Sequence, residues 1–416
     1  MKKHKIIIIG GGASGVFLSL LLKDYGHDVA IIESKDRILK KLLTTGNGRC
    51  NISNNSSLAG NPVMYSSHNP NYNYSPLKKY GSSDAEAYFY TLGLPLVTLE
   101  EGKMYPRSLQ ASSVVDIMRM SLMEKGVSVY LEEKVKSVYH ESNFTVETES
   151  SSFGCEILVI ASGGASMPST GSDGSMYKVI RNLGINVLAP VPVLVQLKLD
   201  YPNIKALSGI KFDGYGTLYD GLEKIQTEFG EFLFTDYGIS GPPILQLSRF
   251  AGPLLADGRK LTISLDLLPE MEQSTVRDMI AERLALFGSR SALDLLKGVI
   301  NSKMISTLLK ESGADKPSSA SMAIDYSCFS RLASIMKDWR FAITGTQGFN
   351  MAQGTYGGVD TNELTDFLES RKIPNLYFTG EVIDVIGACG GYNLQWAWSS
   401  AHSVLEDIEM KNLTKK

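Results

Sequence analysis

Gly10, Gly12 and Gly15 keep the spacing GxGxxG, directly after the β-branched run Ile6-Ile7-Ile8-Ile9 and directly before an apolar stretch at 16–22. Glycines so spaced do backbone chemistry. One permits a tight turn and one lets main-chain N–H groups approach a diphosphate. The third lets the following helix, with Ala13 and Ser14 at its start, pack against the strand. The N-terminus of that helix then carries partial positive charge toward the anion. A second strand, His27-Asp28-Val29-Ala30-Ile31-Ile32, ends in Glu33, 18 residues after Gly15. That is close to the ~20 at which such units place a ribose-binding acid. A carboxylate there accepts from ribose hydroxyls and repels a 2′-phosphate, so the pattern suits FAD or NAD and not NADP. A glycine-rich turn of no special purpose explains the glycines alone but not the strand, helix and acid around them.

Choosing between FAD and NAD requires the rest of the chain. Lys41 precedes Leu42-Leu43-Thr44-Thr45-Gly46-Asn47-Gly48-Arg49-Cys50-Asn51, a loop that gathers glycines, amides and an arginine where the second half of a dinucleotide would lie. Lys41, Thr45, Gly46, Asn47, Gly48, Arg49, Cys50 and Asn51 are candidate cofactor ligands; a polar surface turn accounts only for Gly46 and Asn47. The sheet is expected to be completed by residues 127–131, by a hairpin-like stretch at 135–148 that opens on the candidate Val135, and by 156–161. This last strand ends in Ala161-Ser162-Gly163, where backbone again approaches a ligand closely. Near the C-terminus, residues 375–381 read as a buried strand closing on Gly380 and Glu381. Residues 387–395 then open a helix through Gly391, Tyr392, Asn393 and Leu394. A strand-end acid suits ribityl hydroxyls, and a helix N-terminus suits negative charge at the N1/O2 edge of a flavin being reduced. NAD has no ribityl chain, so such segments at both ends of the sequence favour FAD, non-covalently bound because no covalent-attachment motif is present.

The elements that position these residues imply an α/β fold. With 416 residues, 43% hydrophobic and 20% charged, the chain is globular and long enough for two or three domains. A net charge of −3 and a pI near 6.0 show no basic excess of the kind nucleic acids or anionic membranes attract. Cys50, Cys155, Cys328 and Cys389 stand apart without a CxxC pair, and the five histidines lack metal-ligand spacing. Neither disulfides nor a metal site is expected, and a reducing cytoplasm fits best. The opening apolar run is too short for a membrane span or a signal peptide.

The strings Thr45 to Asn51, Gly102-Lys103-Met104-Tyr105-Pro106, the stretch 234–242, Gly357-Gly358-Val359, Gly380-Glu381-Val382-Ile383-Asp384 and 390–398 together resemble the bacterial FAD flavoproteins described as aminoacetone-oxidase-like or bile-acid-reductase-like (BaiN-like) NAD(P)/FAD-dependent oxidoreductases, along essentially the whole chain. TGNGRCN and GGYNLQWAW are the specific strings. The resemblance implies a discontinuous, glutathione-reductase-like Rossmann FAD-binding domain with an inserted β-rich piece and a helical subdomain. It also implies reduction of activated carbon–carbon double bonds, including steroid enones and a ribosomal-RNA uridine, or oxidation of small amines. Many members carry His where Asp236 stands, and the position before Gly390 varies, being Cys389 here.

The expected domains are 1–186 and 346–416 for FAD, 187–270 for the β-rich, substrate-side insert and 271–345 for the helical part. Within the insert, residues 224–234 read as a hairpin, and Ser274 as the N-cap of a helix, with further helices at 301–310 and 329–339. No second strand-GxGxxG-helix unit occurs there, so NAD(P)H is expected to serve, if at all, as a transient electron donor. Residues 187–355 hold 17 Lys+Arg against 18 Asp+Glu, which argues mildly against RNA without excluding it. The Asn- and Tyr-rich stretch at 61–80 reads either as an aromatic lid or as a surface excursion. A flavin accepts or gives hydride at N5, so few catalytic side chains are required. Arg49, Tyr237 and Tyr392 are the candidates for polarising a carbonyl or delivering a proton. Each has a plainer role open to it: cofactor binding for Arg49, packing for Tyr237, support of a helix start for Tyr392. Cys389 reads either as a redox thiol or as a small residue filling a turn. The first choice of activity is reduction of an electron-poor double bond on a small molecule; small-amine oxidation and reduction of an RNA uridine are the alternatives.

Overall fold

The structure is a computed structural model that describes residues 1–56, 62–314 and 316–414. The chain divides into one unit of Met1–Pro192 with Phe349–Lys416 and another of Val193–Gly348. Sequence patterning set the limits at 186/187 and 345/346; the strand Val187–Val193 is paired with Gly354–Val359 instead of opening the insert. Among the described residues no helix is long and apolar enough to cross a membrane.

In the first unit, β1 (Ile6–Ile9), β2 (Val29–Ile32), β3 (Ser128–Tyr130), β4 (Ile157–Ile160) and β5 (Leu376–Phe378) form a parallel sheet in the order β5-β4-β1-β2-β3. β1 and β2 are buried at every residue, as uninterrupted Ile, Val and Ala runs must be when both faces of a sheet are covered. Helix α1 (Ala13–Asp24) follows β1, and α2 (Tyr392–Leu413) packs beside it, with Phe17 and Trp398 ring centroids 4.9 Å apart. The register decides the function of this sheet. Ile9 pairs with Ile32 and Ile160, and Ile160 with Phe378, so four strands end level and deliver Gly10, Glu33, Ala161 and Gly380 to one edge.

Two expectations for this unit need correction. The stretch at 135–148 is a hairpin, Val135–His140 against Phe144–Thr148. It belongs to a separate four-stranded sheet with Ser152–Cys155 and Lys2–Lys3, not to the parallel sheet. The tyrosines of the 61–80 stretch are not a lid. Asn61 lies outside the described residues, but Tyr65, Tyr74 and Tyr80 are buried, and Tyr65–Ser66 pairs with Ile386–Gly387. Their rings gain more from packing on one another and, for Tyr72, on Trp396 than solvent could offer.

The second unit is a closed antiparallel barrel in the order Leu197–Asp200, Gly238–Ser240, Glu223–Phe234, Lys211–Asp220, Leu261–Asp266 and Trp339–Thr346. Its core holds Phe232, Phe234, Trp339 and Phe341. Residues 223–234 form a single strand, not a hairpin: the turn falls at Gly221 (φ 61°), and Gly230 stays within the strand. The helices Gln273–Phe287, Ser302–Glu311 and Tyr326–Lys337 are all spliced between the last two barrel strands. The first begins one residue before Ser274, with Glu272 as its N-cap. The third stops at Lys337 because Trp339 starts the strand that closes the barrel.

The packing of α1 against β1 rests on Gly15, where a Cβ would stand 2.1 Å from the Gly10 carbonyl oxygen; at Gly12 it would meet nothing within 4 Å. Gly15→Ala is therefore expected to cost about 2–3 kcal/mol as overpacking, and Gly12→Ala about 1 kcal/mol or less as a poorer N-cap. Calorimetric melting of the purified chain checks both; equal melting points for the two variants would contradict this packing.

Candidate active site and cofactor cleft

A cleft runs along the level strand ends. From the predicted set it is lined by Gly10, Gly12, Ala13, Ser14, Glu33, Lys41, Thr45, Val135, Ala161, Ser162, Gly163, Gly380, Glu381, Asn393 and Leu394. Gly15, Gly46, Asn47, Gly48, Arg49, Cys50, Asn51, Gly391 and Tyr392 lie outside the lining. At Gly10 (φ 112°) a Cβ would stand 2.4 Å from the Ala161 carbonyl oxygen, so the turn is held against β4 closely enough to exclude any side chain.

Charge is distributed along the cleft by design of the backbone. Gly12 is the N-cap of α1 and Gly391 that of α2; neither N-terminus has a side-chain cap or an acid in its first turn. Gly12, Ala13 and Ser14 of the one, and Asn393 and Leu394 of the other, line the cleft. Two uncapped helix starts offer unsatisfied N–H groups and a positive potential to an anion. Glu33 is 9% exposed, and its Oε2 accepts the Gly11 N–H at 2.8 Å while Oε1 accepts the Lys35 N–H at 2.8 Å and the Ser34 hydroxyl at 3.1 Å. It clamps the glycine turn to β2, leaving lone pairs for a ribose. At the far side, Lys41 Nζ donates to Glu381 Oε2 at 2.7 Å and to Ser166 Oγ at 2.8 Å, and Ser166 donates to Glu381 Oε1 at 2.7 Å. Thr355 Oγ1 accepts the Ala165 N–H and donates to Ser166 at 3.2 Å. This neutral node joins residues 41, 166, 355 and 381.

The short helical turns of Lys41–Gly48 are interrupted at Thr45, Gly46 and Asn47, and Gly46, Asn47, Gly48 and Cys50 all stand at positive φ. Cys50 is buried, and burial pushes its thiol up to about 12 against a weaker opposing hydrogen bond from Thr45, so it is no nucleophile near neutrality. Arg49 is exposed; its backbone N–H donates to the Gly46 carbonyl at 3.1 Å, and its guanidinium has no hydrogen bond or ion pair among the described residues. Tyr392 is buried: its carbonyl accepts the Tyr65 hydroxyl at 3.2 Å, and its own hydroxyl lies 3.4 Å from Ser56 Oγ. Tyr237 belongs to the barrel unit, half-buried in the turn between Glu223–Phe234 and Gly238–Ser240, its carbonyl accepting the Leu199 N–H at 3.1 Å. All four cysteines are free of disulfides.

Sequence reasoning missed several contributors to the lining: Gly11, Arg37, Val385, Trp396 and the run from Thr170 to Tyr177. The signal for that last segment was present in Gly171 and Gly174, both at positive φ within a turn-forming string. It also missed Asp384, fully buried, which accepts from Ser67 Oγ, the His68 N–H, His68 Nδ1 and the Gly357 N–H at 2.7 to 3.0 Å and so ties three segments together.

The close glycine approach, the two uncapped helix starts and the clamped acid fit a dinucleotide with a diphosphate. Glu33→Ala is expected to weaken FAD binding by about 1.5–3 kcal/mol for each hydrogen bond to the charged acceptor that is lost, with turnover restored at saturating FAD. Dilution followed by flavin fluorescence measures the affinity; turnover that stays lost at saturation would contradict a binding role.

Comparison with known proteins agrees with this geometry. Residues 4–406 match the HI0933-like protein Rossmann domain. The chain is 36% identical over 403 residues to a 3-dehydro-bile acid delta(4,6)-reductase of Clostridium scindens, covering 96% of this chain and 97% of that one. It is 34% identical over 414 residues to a ribosomal RNA dihydrouridine synthase of Escherichia coli K12, covering 98% of each. The fold resembles that of a 3-ketosteroid delta1-dehydrogenase from Sterolibacterium denitrificans, with a TM-score of 0.50 at 10% identity, covering 98% of this chain and 100% of that one. A Rossmann sheet whose strand ends carry the glycine turn and the acid, matched across nearly the whole length, places the chain in the HI0933-like Rossmann family, and it is an FAD-dependent oxidoreductase.

Proposed function

We propose that this chain reduces an activated carbon–carbon double bond of a small molecule, in the cytoplasm, with NAD(P)H as a transient electron donor. The observation that carries the reading is the 36% identity over 96% of the chain to a bile-acid reductase. The two kinds of relative share a chemistry: a delta(4,6)-reductase and a dihydrouridine synthase both saturate a carbon–carbon double bond, and a carbonyl conjugated to that bond makes its far carbon electron-poor. Reduced FAD supplies the hydride at N5. The chain's own residues bind, orient and polarise. Gly10, Gly12 and the start of α1 hold the diphosphate, and Glu33 the ribose. Glu381, held by Lys41 and Ser166, would face the ribityl chain, and the start of α2 at Asn393 and Leu394 would stabilise charge on the pyrimidine edge. Thr45, Val135, Ala161, Ser162 and Gly163 complete the contacts. Of the candidates for polarising the carbonyl, Arg49 is favoured, because its guanidinium is exposed and unengaged while Tyr392 is packed; a guanidinium donates hydrogen bonds but keeps its proton, so it is not the proton source.

The RNA reading is supported by the dihydrouridine synthase relatives, at 34% and 30% identity. Against it stand the net charge of −3 and the balanced charges of residues 187–355. The two readings separate on salt. The flavin is reduced anaerobically with NADH or NADPH, then reoxidised by a steroid enone or by uridine-containing RNA at roughly 50 and 200 mM salt. An RNA held through 6–10 phosphates would lose ~10³–10⁵ in affinity over that range. Enone turnover with a shallow salt dependence is expected; salt-sensitive turnover of RNA with none of the enone would overturn the proposal in favour of the RNA reading.

A further inference from the structure

Three hydroxyls in the cleft are buried without a hydrogen-bond partner among the described residues: Ser162 Oγ, Ser172 Oγ and Tyr177 OH. All three residues line the cleft, and Ser172 and Tyr177 are 7% and 3% exposed. Buried hydroxyls are almost always satisfied, because desolvation without a partner is unfavourable. Three orphans along one wall of one cleft call for a ligand that supplies several oxygens in a row.

Their neighbours fix which part of the ligand each would meet. Ser162 follows Ala161, whose carbonyl oxygen lies 2.4 Å from where a Gly10 Cβ would stand, so it flanks the turn at the start of α1. Ser172 Oγ lies 2.9 Å from the Cβ position of Gly163, and the preceding Gly171 would place its Cβ 3.5 Å from Glu33 Oε1. Ser172 therefore sits between the ends of β4 and β2, on the adenosine side. Tyr177 lies further along: Gly174 would place a Cβ 3.4 Å from its ring and 3.3 Å from the Ala165 Cβ, and Gly164, beside Ala165, would place one 3.2 Å from the Glu381 carboxyl carbon. Burial, with the charges of Glu381 and Asp384, pushes the Tyr177 hydroxyl up, so it stays a donor.

We propose that Ser162 and Ser172 bind the diphosphate of the dinucleotide from the side opposite the glycine turn, and that Tyr177 binds the polyol chain beyond it, beside Glu381. This rests on the cleft holding FAD. The hydroxyl donors would share the phosphate charge with the helix start, where Lys41, the cation nearest Glu381, is already engaged.

The test uses the full chain freed of flavin and titrated calorimetrically with ADP and with FAD. Ser172→Ala is expected to weaken ADP and FAD by the same factor, about 10- to 100-fold, as for a hydrogen bond to a charged acceptor. Tyr177→Phe is expected to weaken FAD about 3- to 10-fold and leave ADP unchanged. Melting of the unliganded variants at the parent temperature excludes a folding effect. Parent-like ADP binding by Ser172→Ala, or an equal loss of ADP and FAD in Tyr177→Phe, would overturn these assignments. A parent chain that binds neither compound would overturn the cofactor reading itself.

Discussion

Every part of the candidate site depends on four parallel strands ending in the same register. Because Ile9 is level with Ile32 and Ile160, and Ile160 with Phe378, one edge of the sheet receives a glycine turn, an acid, a small-residue loop and a second glycine–acid pair. Those groups come from residues 10, 33, 161 and 380, so chain distance is irrelevant to their proximity. The register is itself held by burial. β1 and β2 are solid Ile, Val and Ala, and burying each large side chain is worth roughly 1.5–3 kcal/mol. A shift of one residue would move the glycine turn off its partner Ala161 as well as mismatching the core. Stability and site geometry are thus enforced by the same contacts.

On that edge, electrostatics is arranged by backbone more than by side chains. The starts of α1 and α2 are left uncapped, while the acids nearby are committed elsewhere: Glu33 to the Gly11, Ser34 and Lys35 donors, Glu381 to Lys41 and Ser166. An anion thus meets fixed dipoles without competing with free carboxylates. α2 is anchored through its tryptophans, Trp396 Nε1 donating to the Gly380 carbonyl at 3.1 Å and Trp398 Nε1 to the Ile52 carbonyl at 2.8 Å. Its first turn is therefore tied to the strand end that carries Glu381. Much of the GGYNLQWAW string is explained by this: Gly391 lets the chain approach the Ser53 carbonyl, and the tryptophans lock the helix in place.

Much of the sheet was legible in the sequence because parallel strands buried on both faces announce themselves as apolar runs, and because glycine spacing and the Glu33 acid have a mechanical meaning. Roles that depend on long-range packing were not legible. Tyr65, Tyr74 and Tyr80 read as an excursion by composition, yet they fill core space beneath α2 that no local pattern reveals. The 135–148 hairpin has ordinary strand character, and only its pairing with Ser152–Cys155 assigns it to a second sheet. Gly230 mimics a turn residue, but the partner strand Lys211–Asp220 keeps it extended. In the wall from Thr170 to Tyr177 the sequence shows only the turn glycines Gly171 and Gly174; the orphaned hydroxyls of Ser172 and Tyr177 are a property of the folded chain and not of residue type.

The chain is similar both to a bile-acid reductase and to ribosomal RNA dihydrouridine synthases, whose names point to substrates of very different size. The cofactor is the common element, and the central claim stands or falls with it. Acid precipitation of the purified chain and chromatography of the supernatant measures it most directly. The account predicts FAD released intact, one per chain, with no flavin left on the protein. FMN in its place, flavin that stays covalently attached, or a colourless chain that FAD does not reconstitute would contradict it.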